Sequence, residues 1–290
     1  VTFNENVRLD PGRVRRGRGR GTGIAVGGGL GALVLVLVSQ LLGVDLSGLA
    51  GDPGAPQEEG TANEECTSGA DANASVECRM VGAADALDTY WAEELPALGA
   101  AYRPPGFVLF DASVSTACGG ATSAVGPFYC PPDETVYIDT SFYGDLRGRF
   151  GASGGPLAEM YVVAHEWGHH VQNITGVMGR AQRGDTGPTS DAVRLELQAD
   201  CLAGAWAGEA STTPDPDTGV PFLEPISRQQ YVDALDAAAA VGDDRIQEAT
   251  SGQVQPHTWT HGSAEQRQRW FAAGFEQGAA ACDTFRARTL

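Results

Sequence analysis

His165 and His169 stand four residues apart with Glu166 beside the first, and this spacing constrains the fold more than any other feature of the chain. Residues four apart share one face of an α-helix, so both imidazoles reach a single metal ion only if this stretch is helical. Glu166 then lies about 100° round the same turn, where its carboxylate can touch a water on that ion. The run before it, Leu157 to Ala164, is apolar on one side and holds no helix breaker, and Gly154-Gly155-Pro156 marks a start because proline suits the first helical turn. A second segment, Asp191 to Glu209, carries Ala192, Leu195, Ala199, Leu202, Ala203 and Trp206 at helical spacing. It presents Glu196 and Asp200 on one face. Glu196 supplies a third ligand, and Asp200 can accept the second ring N–H of a ligating histidine, fixing its tautomer and raising its basicity. Two neutral nitrogens, one carboxylate and an open position for water describe one catalytic Zn(2+), since a structural zinc closes its fourth position. The plain alternative is a polar cluster between two packed helices.

Several strings agree with this reading: His165-Glu166-Trp167-Gly168-His169-His170-Val171-Gln172-Asn173, Glu196-Leu197-Gln198-Ala199-Asp200-Cys201, Gly126-Pro127-Phe128-Tyr129-Cys130-Pro131 and Thr260-His261-Gly262-Ser263-Ala264-Glu265-Gln266-Arg267. Together with the opening Thr2-Phe3-Asn4-Glu5-Asn6 and the arginine-rich run after it, they resemble the bacterial neutral zinc metallopeptidase family, small proteins with one N-terminal membrane span. The likeness covers nearly the whole chain. It implies a zincin-like peptidase with Glu196 as third ligand and peptides or proteins as substrates, and says little about which ones.

The resemblance also assigns roles. Glu166 is expected to take a proton from the attacking water and pass it to the leaving amine. In gluzincin-type sites a His or Tyr opposite the metal stabilises the oxyanion; His261 is the first candidate, with His257, His170, Tyr161 and Tyr231 behind it. In zincin-like folds an extended substrate adds to an edge strand above the metal-binding helix. Thr135–Asp139, just before that helix, is the expected edge, with Val136, Tyr137 and Ile138 as substrate-binding residues; the alternative is a short core strand.

Charge is unevenly spread. The chain carries 19 basic residues, all arginine, against 37 acidic ones, a net charge of −18. Six arginines (Arg8, Arg13, Arg15, Arg16, Arg18, Arg20) fall within residues 1–22, opposed only by Glu5 and Asp10. Residues 21–44 are uncharged, with a 19-residue apolar core at 24–42, close to the length that spans a bilayer. Arginines before it and acids after it place the N-terminus in the cytoplasm by the positive-inside rule. A cleaved twin-arginine signal is the competing reading, disfavoured because the run exceeds the usual length of a signal peptide. The expected localisation is a single-pass membrane protein with its enzyme domain outside the cytoplasmic membrane. The acidic remainder argues against nucleic acid, whose phosphates need clustered basic side chains.

All six cysteines follow the apolar run. An even count in an oxidising compartment suggests disulfides. Proximity favours Cys66–Cys78 and Cys118–Cys130, leaving Cys201–Cys282 by elimination. Cys201 neighbours Asp200, but it points about 100° away on the helix, so a zinc thiolate is not expected. The residues 81–98 form an amphipathic helix with Ala84, Leu87, Tyr90, Trp91 and Leu95 on one side, and Phe107–Phe110 and Thr135–Asp139 are short strands. Helices are also expected near 227–241 and 263–278, the latter capped by Ser263 with Gln266. The expected fold is α+β: a mainly helical zincin-like domain with a small sheet at 66–290, preceded by a basic tail (1–22), a transmembrane signal anchor (23–44) and an acidic Pro/Gly linker (45–65). The expected function is zinc-dependent peptide-bond hydrolysis at the membrane. A catalytically silent, membrane-tethered zinc-binding scaffold is the alternative, and oligomeric state stays open.

Overall fold

The computed structural model describes residues 2–17, 64–182 and 184–290. Among these, helices α1 (Gly69–Ala74), α2 (Val76–Ala97), α3 (Phe142–Gly148), α4 (Pro156–Ile174), α5 (Asp191–Glu209), α6 (Arg228–Ala240), α7 (Asp243–Ser251) and α8 (Ala264–Gln277) surround two small sheets. The larger sheet has the order β1-β2-β6-β5, with β1 (Arg15–Gly17), β2 (Gly106–Phe110) and β6 (Thr135–Asp139) parallel and β5 (Phe128–Cys130) antiparallel to β6. Strands β3 (Ser113–Thr116) and β4 (Gly119–Thr122) form a separate hairpin. The α+β expectation therefore fits.

Local chemistry sets the ends of the helices that matter. Pro156 opens α4, where its missing N–H costs nothing. Ser190 caps α5 by accepting from the Val193 amide, and Ser263 and Gln266 cap α8 reciprocally as a capping box. Helix α4 is the hub: α2, α5 and α6 pack round it, and the sheet meets it through β5 and β6. Its residues from Leu157 to Gln172 are all buried. Helices α5 and α8 approach backbone to backbone. A Cβ on Gly274 would fall 1.8 Å from the Cys201 carbonyl oxygen, and one on Gly204 2.1 Å from that of Phe271.

The three expected disulfides are present, with Cα–Cα distances of 5.0 Å for Cys66–Cys78, 5.9 Å for Cys118–Cys130 and 5.5 Å for Cys201–Cys282. The last ties the end of the chain to α5 across 81 residues.

The N-terminal expectation is corrected. Among the described residues no helix is long and apolar enough to cross a membrane; the expected span at 23–44 lies outside the described residues, as does nearly all of the expected linker. Moreover, the arginine-rich start is not a tail. Phe3, Val7, Leu9 and Val14 are buried in the main core, β1 pairs with β2, and Phe3 bridges to Leu223. Phe3 fills a notch in α2 where a Cβ on Gly82 would come within 2.7 Å of its ring. A membrane between residues 1–22 and the rest would separate groups that touch. The single-pass arrangement that puts a cytoplasmic N-terminus and the enzyme domain on opposite sides of a membrane is therefore overturned.

Candidate metal centre

Helices α4 and α5 cross at Gly168, between the two histidines. A Cβ there would lie 2.9 Å from Ala199 Cα and 3.0 Å from its carbonyl oxygen, so only glycine lets α5 bring Glu196 this close. His165 Nε2 is 3.2 Å from Glu196 Oε2, and His169 Nε2 is 3.4 Å from Glu196 Oε1. The three donor atoms lie within 4.8 Å of one another, and all three side chains are buried.

The far nitrogens decide what these atoms are. His165 Nδ1 lies 2.8 Å from Asp200 Oδ1, and His169 Nδ1 lies 2.9 Å from Gln172 Oε1. Gln172 is oriented by its own amide, which donates to the Leu195 carbonyl at 2.7 Å and to Gln198 Oε1 at 3.1 Å. Carboxylate and amide oxygens only accept, so both Nδ1 atoms carry hydrogen, and in its neutral form each ring turns an Nε2 lone pair toward Glu196. Burial would lower the His165 imidazole, but Asp200 and Glu196 raise it to about 10, so without a metal a protonated ring suits these contacts; with neutral rings, two lone pairs and a carboxylate converging this closely suit a cation. The donor set therefore fits a divalent zinc ion.

Behind the donors lies a buried ionic network. Arg267 on α8 donates through Nε to Asp200 Oδ2 at 2.8 Å and through Nη2 to Asp200 Oδ1 at 2.9 Å. Tyr161 Oη donates to the same Oδ1 at 2.6 Å. Burial alone would raise the Asp200 carboxyl, but Arg267 and His165 outweigh it and hold it below the ordinary carboxylate range. Glu196 likewise stays anionic, since His169 and His261 overcome the cost of its burial.

In the cleft lined by the three donor residues, two buried atoms have no hydrogen-bond partner among the described residues: Glu166 Oε2 and His261 Nε2. Burial pushes the Glu166 carboxyl above its ordinary value. His261 is held by Asp243, whose Oδ2 accepts from the backbone amides of Thr260, His261 and Gly262 at 2.8, 2.7 and 3.0 Å. Its Nδ1 lies 3.3 Å from Asp243 Oδ1. Burial alone would lower the His261 imidazole, yet Glu196 and Asp243 keep it above its ordinary value. The cleft shared by these groups is otherwise apolar, walled by Phe142, Leu146, Phe150, Val162, Val241 and Ile246.

The structure thus brings together His165, Glu166, His169, Glu196, Asp200 and His261. It does not bring in the expected substrate strand. β6 is paired with β2 along its length and with β5 from Thr135 to Tyr137, so Val136 and Tyr137 have no free edge, and Ile138, paired with Leu109 of β2, is fully buried; of the two readings, the core strand fits. Tyr161 serves Asp200, and Tyr231 packs on Phe271 and Phe275. His170 bridges Tyr129 Oη and the Arg103 carbonyl, and His257 is exposed. Sequence reasoning missed Arg267, Gln172 and Asp243. Gln172, three residues after His169, was reachable from helical spacing; the other two depend on long-range packing.

The family described as "Putative neutral zinc metallopeptidase" matches residues 4–285. The "Uncharacterized protein Rv2575" of Mycobacterium tuberculosis is 53% identical over 296 residues, covering 100% of both chains. The "Uncharacterized protein YpfJ" of Escherichia coli K12 is 38% identical over 255 residues, 86% of this chain and 83% of its own. No solved structure matches.

Proposed function

The chain belongs to the neutral zinc metallopeptidase family, and from that premise we propose that it hydrolyses peptide bonds with Glu166 as the proton-transfer group. His165, His169 and Glu196 would hold the ion. When bound, zinc supplies Lewis acidity that brings the pKa of a water toward about 7 and polarises the scissile carbonyl. Glu166 accepts the proton of the attacking water and returns it to the leaving amine nitrogen. Burial raises its pKa, a shift toward the range in which one group can both take and give a proton. His261, which Glu196 and Asp243 raise above its ordinary value against the effect of burial, donates from Nε2 in its protonated form to the carbonyl oxygen as that oxygen gains negative charge. Asp200 and Gln172 hold the two imidazoles in the tautomer that binds metal.

The observation that carries this reading is the buried, unpartnered Glu166 Oε2 in the cleft that the three converging donor residues line. The test is zinc content and cleavage of casein by the wild-type chain, Glu196→Ala and Glu166→Gln. One zinc per chain, chelator-sensitive cleavage, zinc loss in Glu196→Ala, and zinc retained without turnover in Glu166→Gln are expected. A fully active Glu166→Gln would remove Glu166 from the mechanism, and a wild-type chain that holds zinc but cleaves nothing would favour a scaffold.

A further inference from the structure

We propose that Arg13, in the N-terminal arm, is a positioning residue for Glu166, acting from the opposite side of α4 through Trp167. This inference rests on the metallopeptidase reading above. Trp167 directly follows Glu166 and is fully buried. The Arg13 guanidinium sits 5.2 Å from the centre of its ring, a cation–π contact strengthened by exclusion of water. The Trp167 Nε1 donates to Tyr102 Oη at 2.9 Å, Tyr102 donates to Asp88 Oδ1, and Arg13 Nε donates to Asp88 Oδ2. Arg13 Nη2 closes the arrangement on the Pro105 carbonyl at 2.8 Å. One residue of the arm therefore touches both ends of a relay that terminates on the Trp167 indole.

Glu166 is the group most exposed to this support. His165 is tied to Asp200 on α5, and His169 to Gln172, which in turn bonds Leu195 and Gln198 of α5, so both imidazoles are held from a second helix. Glu166 Oε2 has no such tie among the described residues. With no hydrogen bond to fix it, its position depends on packing and on the α4 backbone, which the buried Trp167 next to it helps to seat. Removing Arg13 leaves the Asp88 carboxylate facing Tyr102 without its counter-charge and takes the cation off the indole. The helix then loses its rear seat at the turn that carries Glu166. Proton transfer suffers while the metal donors, held separately, stay in place.

The experiment compares the full wild-type chain with Arg13→Ala, Arg13→Lys and Asp88→Asn, measuring kcat and KM on fluorescent casein, zinc affinity against a chromophoric chelator, and thermal unfolding. Arg13→Ala should lower kcat by on the order of tenfold, the scale of a small misplacement of a reacting group. KM and zinc affinity should stay within about twofold. Arg13→Lys should recover part of kcat, because it keeps the cation but not the fork to Asp88 and Pro105. Asp88→Asn leaves the arm's apolar contacts in place and should lower kcat in the same sense, covering the case in which Arg13→Ala fails to fold. Unchanged kcat in folded Arg13→Ala or in Asp88→Asn overturns the inference. So does a fall in kcat matched by equal losses of zinc affinity and thermal stability, which marks a purely structural role. A wild-type chain without chelator-sensitive turnover defeats the metallopeptidase reading itself and this inference with it.

Discussion

Arg267 grips both carboxylate oxygens of Asp200, at 2.8 Å and 2.9 Å, while the same carboxylate receives the His165 Nδ1 proton. Helix α8 thereby governs an imidazole on α4 through an acid on α5.

Both members of that pair are buried, so cutting it strands a charge. Arg267→Met is expected to destabilise the fold by about 3–5 kcal/mol. It should also weaken zinc binding by roughly ten- to a hundredfold, as loss of a group orienting a ligand does. Chemical denaturation and zinc competition test this. Wild-type zinc affinity in the variant would separate Asp200 from the metal site.

Gly168 sets how near α5 can come. Gly168→Ala puts a methyl 2.9 Å from Ala199 Cα, and the helices must separate to admit it. Helix content by circular dichroism should be nearly preserved, while zinc affinity falls because Glu196 retreats from both histidines. An alanine variant with normal zinc binding would refute the close-approach argument.

The arm carries a pH dependence of its own. Burial pushes the Asp85 carboxyl up to about 7, although it accepts the Asp10 amide. Unfolded, the group titrates near its ordinary value of 3.8. Between those two values the folded chain binds more protons than the unfolded one, so this group's contribution to stability falls as pH rises through the window. Asp85→Asn should gain thermal stability relative to wild type at pH 8 and show little gain at pH 4. Parallel pH profiles for the two chains would count against it.

The apolar wall of the cleft predicts selectivity. Substrates with a bulky aliphatic or aromatic side chain beside the scissile bond should be preferred over those with charged ones, since the only arginine lining it, Arg267, is already engaged by Asp200. Ile246→Glu should improve kcat/KM for a basic side chain there by on the order of tenfold. Profiling a mixed peptide library before and after substitution decides it; a flat wild-type profile rejects the idea.

The donors were legible because helical periodicity is local: four-residue spacing alone places His165 with His169 and Glu196 with Asp200. The start of α8 was legible for the same reason, through Ser263 and Gln266. What failed depends on pairings between distant segments. Nothing near Thr135–Asp139 says that β2 and β5 occupy both its edges. Arg267 is one arginine among many until α8 is laid on α5, and the only trace of that contact was the glycines Gly204, Gly208 and Gly274. The N-terminal arm misled for a physical reason: Phe3, Val7, Leu9 and Val14 are scattered among arginines without a strand or helix period, so charge dominated the reading while burial went unseen.

The pairing of Phe3 with Leu223 has a consequence in time. A chain made from its N-terminus carries a finished first segment long before its seat exists: β2 follows far downstream, and Leu223 further still. Such long-range closure slows folding, because the entropy of ordering the intervening chain is lost before any contact compensates for it. Synthesis therefore leaves the arm without its bridge to Leu223 until that much later segment has emerged, so this contact is among the last to close.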